Sequence, residues 1–139
     1  MMAARSAAPQ PRSFLSFDFG SKRVGVASGN ALTGTATPLT TIAAEGDARF
    51  DAIARLIREW QPDALVVGVP YHPDGAPHDN TRRAQRFARQ LAGRFGLPVH
   101  EVDERYTTTE AHALGAADAD AAAAALILEQ YLRTPSPEP

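Results

Sequence analysis

Short apolar runs broken by glycine and proline open this chain, and longer stretches with helical spacing follow. Residues 14–19 and 23–28 flank the turn signal Gly20-Ser21 and read as a hairpin. A third strand is expected at about 35–42. Phe50, Ile53, Ile57 and Trp60 recur at helical spacing over about 47–60, with Asp47 able to cap and Pro62 marking the end. Residues 64–69, ALVVGV, form a continuous apolar run, the pattern of a strand buried on both faces. After a loop rich in Pro, Gly and His, a helix over 79–95 turns Ala84, Phe87, Ala88, Leu91 and Phe95 inward, and Gly96 and Pro98 stop it. A strand is expected at 97–102. Thr107-Thr108-Thr109-Glu110 matches a capping box, and 121–132 reads as a very apolar last helix.

Three strands in a meander, followed by strands alternating with helices, predict an α/β fold. The expected sheet is mixed and five-stranded, flanked by helices on both faces, with strand 1 central between strand 2 and strand 4. The ribonuclease H-like fold has this order, and actin-like half-domains share it. Residues 1–12 and the proline-rich 134–139 read as disordered tails around one domain over 13–133.

Composition narrows the chemistry. A net charge of −2 gives no global sign of nucleic acid, so any such binding must come from local patches. With no cysteine, disulfides and thiolate metal sites are excluded. No apolar run approaches the ~20 residues that span a bilayer, and the N-terminus lacks the apolar middle of a signal peptide. The expected location is cytoplasmic, with no membrane partner.

Asp18 is the polar residue that most needs an explanation. A carboxylate inside an apolar strand costs several kcal/mol unless it is paired or metal-bound. It can bind Mg²⁺ or Mn²⁺, which favour hard oxygen donors, or pair with Lys22 or Arg23 across the turn. Asp103 and Glu104 stand at the end of the fifth strand, where open α/β sheets place their sites. Adjacent side chains on an extended segment point to opposite sides, so one of the two faces any site there. Asp120 opens the last helix, a position that suits a cap as well as a ligand, and Asp118 could cap in its place. Lys22, Arg23 and Arg105 are candidate phosphate binders near the acids. Arg82, Arg86 and Arg89 share one face of the 79–95 helix, either as a track for a nucleic-acid backbone or as a solvated surface. His72 and His78 share a loop, but two histidines without a further nearby ligand make a weak zinc motif.

Four segments together, FDFGSKRVGVA (17–27), LVVGVPYHPDG (65–75), VDERYTTTEA (102–111) and DAAAAALILEQYL (120–132), resemble the YqgF (RuvX) family. The likeness runs from residue 14 to about 133. It implies a ribonuclease H-like, metal-dependent endonuclease that matures the 5′ end of pre-16S ribosomal RNA, or a resolvase of Holliday junctions in branched DNA. It also implies Asp18, Glu104 and Asp120 as a catalytic carboxylate triad holding Mg²⁺ or Mn²⁺. Asp120 matches the family's aspartate ahead of the Leu126-Ile127-Leu128 triplet. Lys22, Arg23, Arg105, Arg82, Arg86 and Arg89 are then the expected substrate contacts.

The sequence departs from the family at 112–119, which is short and carries no Lys or Arg. Tyr106 replaces a commoner aliphatic residue and could stack on a base. The loss of a basic loop keeps a non-catalytic nucleic-acid or ribosome-assembly module as a rival. An actin-like ATP-binding role is disfavoured, because one domain of this length supplies half of the usual two-domain cleft.

Overall fold

The computed structural model describes residues 12–72, 74–104 and 119–133. Strands β1 (Ser13–Phe19), β2 (Val24–Asn30) and β3 (Thr35–Ile42) form the antiparallel meander. Helix α1 (Gly46–Trp60), β4 (Ala64–Val69), α2 (Asp79–Phe95), β5 (Val99–Asp103) and α3 (Ala119–Arg133) follow. The sheet order is β3-β2-β1-β4-β5, with β1 central, antiparallel to β2 and parallel to β4. This is the order expected of the ribonuclease H-like fold. The expected capping box at 107–110 and its short helix lie outside the described residues, as do residues 1–11 and 134–139.

The side-chain period of a strand sorts β1 into two faces. Leu15 and Phe17 join β4 residues Leu65, Val67 and Val69 in a core with Phe50 and Ile53 of α1 and Phe87 and Leu91 of α2. Phe14 turns the other way, with Ala64, Val66 and Val102, against Ile127 and Leu128 of α3. Ser16 lies on this second face, where its buried hydroxyl donates to the Ala124 carbonyl at 2.7 Å. Asp18 shares the parity of Phe14 and Ser16, so it faces α3.

Alanine lets α3 approach the sheet closely. Ala121, Ala124 and Ala125 are buried on its inner side. The sheet answers with glycine. Gly25 lies beside Asp18 on β2 and Gly68 beside it on β4. A Cβ at Gly25 would collide with the backbone carbonyl of Asp120, and one at Gly68 with Ile127.

Several local expectations are corrected. The α1 N-cap is Glu45 rather than Asp47, and it makes no side-chain capping bond. Trp60, expected inward, is 45% exposed, because the last turn of α1 runs beyond the core. Strand β5 begins at Val99, since Pro98 has no N–H for the ladder, although its carbonyl accepts from Leu65. His78, read as a loop residue, caps α2. Its Nδ1 accepts from Asn80 N–H, and its own N–H donates to Thr81 Oγ1 at 3.0 Å. Arg12, assigned to the tail, is tied to the fold. Its N–H donates to Asp63 Oδ2 at 2.9 Å and its carbonyl accepts from Ala31. The Asp63 carboxyl also accepts from Ser13 N–H, and these two bonds hold its pKa below the usual carboxylate value.

Candidate active site

Two carboxyl groups meet at the end of the sheet where the parallel strands finish. Asp18 is the penultimate residue of β1, and Glu104 follows the last residue of β5. Residues 100, 102 and 104 share a parity that points to the α3 face. His100 stacks on Tyr131 of α3 with ring centroids 5.2 Å apart, and Val102 packs in the α3 cluster. The same alternation separates Glu104 from Asp103. Between Asp18 and Glu104 lies Gly68, whose missing side chain leaves the space. A Cβ there would stand 2.9 Å from Glu104 Oε2.

Glu104 is held as an acid, its pKa raised from 4.5 to about 8. Burial is the main cause, followed by the negative charge of Asp18, a hydrogen bond with the Asp18 side chain, and the charge of Asp103. Two carboxyls in such contact share a proton more readily than they both ionise. The protein has built a place of concentrated negative charge that is satisfied either by a proton or by a cation.

Asp120 stands in the first turn of α3, with its backbone directly over Gly25. Its carboxylate Oδ2 accepts from Arg23 Nε at 2.7 Å. Of the three expected ligands, Asp18 and Glu104 are brought into contact, while the Asp120 carboxylate is engaged by Arg23. Among the described residues, no three His, Asp or Glu side chains gather as a metal-holding group. A third carboxylate gains more from a guanidinium than from two further acids.

The donor set nevertheless suits a divalent ion of the Mg²⁺ or Mn²⁺ class. It consists of carboxylate oxygens, with no sulfur, at a point where negative charge is crowded. Asp18, Glu104 and, after release from Arg23, Asp120 are the residues that would hold it.

The cations are distributed more widely. Arg23 and Lys22 are exposed beside the site on the β1–β2 turn. Arg105 and Tyr106, and the whole segment 105–118, lie outside the described residues. Helix α2 packs on the sheet face opposite α3, so the Arg82, Arg86 and Arg89 stripe is not beside the acids. All three are exposed, and Arg82 pairs with Asp79 at 3.6 Å. His72 and His78 lie with ring centroids 4.6 Å apart, but His78 Nδ1 is committed to the helix cap. Sequence reasoning missed Arg49, a charged residue only 6% exposed on the α1 side. Its signal was its place one residue before Phe50 in an otherwise amphipathic turn.

Comparison with known proteins places this geometry in a family. A family model described as RuvX, Holliday junction resolvase, matches residues 12–134. A protein of Polaromonas sp. strain JS666 is 72% identical over 123 residues, covering 88% of this chain and 89% of the relative. One of Albidiferax ferrireducens is 70% identical, covering 88% and 79%. One of Paraburkholderia phytofirmans is 56% identical over 125 residues, covering 85% and 86%. All three carry the name "Putative pre-16S rRNA nuclease". Among solved structures, Thermus thermophilus RuvC in complex with a Holliday junction substrate superposes with a TM-score of 0.54 at 16% identity. The match covers 87% of this chain and 93% of RuvC, a likeness of fold.

Proposed function

The chain belongs to the RuvX family, and from that premise we propose that it is a metal-dependent endonuclease acting on structured RNA, the 5′ end of pre-16S ribosomal RNA foremost. The observation that carries this reading is the Asp18–Glu104 pair at the sheet's C-terminal end, with Glu104 raised to about 8. A divalent ion held there would supply Lewis acidity, favouring hydroxide over water and offsetting charge on the phosphate. The chain's own groups do the rest. Asp18 and Glu104 would hold the ion. The Glu104 carboxylate, beside that position, would accept the proton of the attacking water. Water oxygen adds to phosphorus, the P–O bond to the neighbouring nucleotide breaks, and a proton ends on the leaving oxygen. Arg23, which holds Asp120, would be the group to meet a substrate phosphate, and Asp120 would then be available as a further oxygen donor.

The test is cleavage of structured precursor RNA and of a four-way DNA junction, with Mn²⁺ and with chelator. Metal-dependent cutting of the RNA supports the proposal. Cutting confined to the junction shifts the substrate to branched DNA, as the family's description would have it. Binding without cutting in any metal points to a non-catalytic assembly module, in line with the cation-free 112–119 stretch.

A further inference from the structure

The face opposite the acids carries a second concentration of charge, of the reverse sign. A cleft of about 250 Å³ opens between the start of α1 and the outer side of α2. Arg49, Arg83, Arg86 and Gln90 line it, over a floor that includes Phe19, Phe50 and Phe87. No carboxylate is among its lining residues. Three guanidiniums around one small cleft, in a chain of net charge −2, repel one another unless an anion joins them.

Arg49 makes the point sharply. It is 6% exposed, and among the described residues no Asp or Glu forms an ion pair with it. Its Nε donates to the Ala44 carbonyl at 2.8 Å and its Nη2 to the Ser21 carbonyl at 3.1 Å. Among the described residues, no hydrogen bond is made by Nη1. Glu45 acts on it from a distance, and burial lowers its pKa. A guanidinium this far removed from water, lining a cleft without a carboxylate, is favoured by a negative partner in that cleft. Asp47, the acid in the first turn of α1, is turned to Arg94 at 3.8 Å. The α1 N-terminus, unsatisfied by Glu45, adds its own partial positive charge at Gly46.

The floor is aromatic and belongs to the core. Phe87 is the hub, with ring centroids 5.2 Å from Phe19 and 5.9 Å from Phe50. Phe19 directly follows Asp18, so cleft and carboxyl pair lie back to back across the end of β1. We propose that this cleft is a phosphate subsite that holds the nucleic-acid strand where it passes over the end of the sheet, away from the point of cleavage. The inference deepens the nuclease reading and rests on it for the identity of the strand. It also revises the stripe read from the sequence: Arg86 serves, but its partners are Arg83 and Arg49 rather than Arg82 and Arg89.

The experiment is binding of a short fluorescein-labelled single-stranded oligouridylate, in chelator, across a series of salt concentrations. Arg83→Gln/Arg86→Gln is compared with wild type and with Arg55→Gln/Arg58→Gln, which removes the same charge from exposed positions of α1. Arg83 and Arg86 are both exposed, so the thermal midpoint should hold. The cleft variant should bind about 10-fold more weakly or worse, the effect of losing a charge-assisted contact. Its slope of log affinity against log salt should fall by about 0.7, one phosphate of a single strand. Equal losses in both double variants, or no binding by wild type, overturn the proposal. Cleavage in Mn²⁺ is scored separately. A protein that binds through Arg83 and Arg86 yet cuts nothing keeps the subsite and loses the nuclease. One that cuts while the cleft variant binds like wild type keeps the nuclease and loses the subsite.

Discussion

Asp18 and Glu104 illustrate how much one proton can decide. Because the folded pKa of Glu104, about 8, lies above its unfolded value near 4.5, the protonated pair stabilises the metal-free protein below about pH 4.5. That contribution is lost as pH rises through 8. Thermal midpoints of metal-free protein should therefore decline between these limits from this source, and Glu104→Gln should flatten the decline. A midpoint profile identical in wild type and variant would show that the two carboxyls do not share a proton. Asp18→Asn should abolish cleavage while leaving metal-free stability unchanged or higher, since it removes a half-buried charge beside another carboxyl and keeps the shape. Cleavage by that variant at the wild-type rate would exclude the mechanism. The sequence made these two residues visible through simple means, an acid in an apolar strand and the alternation that separates Glu104 from Asp103. It did not reveal that Arg23 holds Asp120, because a hydrogen bond between a turn and a helix 97 residues apart leaves no local pattern. Arg49 was hidden for a related reason, since a guanidinium that binds carbonyls has no charged partner to announce it.

At the level of elements, α3 and the sheet are fitted to each other through residues with little or no side chain. Gly25 lies under the Asp120 carbonyl, so Gly25→Ala must lift the helix start or bend the strand. We expect a loss of about 1–3 kcal/mol in unfolding free energy, in the range for overpacking, measured by urea denaturation. Activity should fall further than stability does, because the displaced part of α3 carries Asp120. A variant destabilised but fully active would mean that the α3 N-terminus has no share in the chemistry. The strands and helices were legible from hydrophobic spacing: β3, β4 and α2 have the ends that the sequence predicted. Ends set by single hydrogen bonds were less so. The α1 start moved to Glu45, where backbone geometry rather than a capping side chain decides. The α2 start depends on His78, a cap outside the usual Ser, Thr, Asp and Asn set. Trp60 shows the limit of periodicity, which says which side of a helix is apolar but not where the core beneath it stops.

For the molecule as a whole, binding of a divalent ion is linked to folding. Any ligand that prefers the folded state raises stability, by about 2.7 kcal/mol at a concentration 100 times its Kd. Saturating Mn²⁺ should raise the thermal midpoint of wild type, most strongly above pH 8 where Glu104 has given up its proton. The increase should be small in Asp18→Asn. An equal increase in both proteins would place the ion elsewhere. The sheet order has a different consequence, in the time of synthesis. Strand β1 leaves the ribosome first and can zip to β2 at once, but its other edge waits for β4. Residues 20–63 must be made in the interval, ~2–9 s at ~5–20 residues per second. For that time the most apolar strand-edge of the nascent protein is open to any neighbouring chain. The centre of the finished sheet is thus the most vulnerable part of the unfinished one.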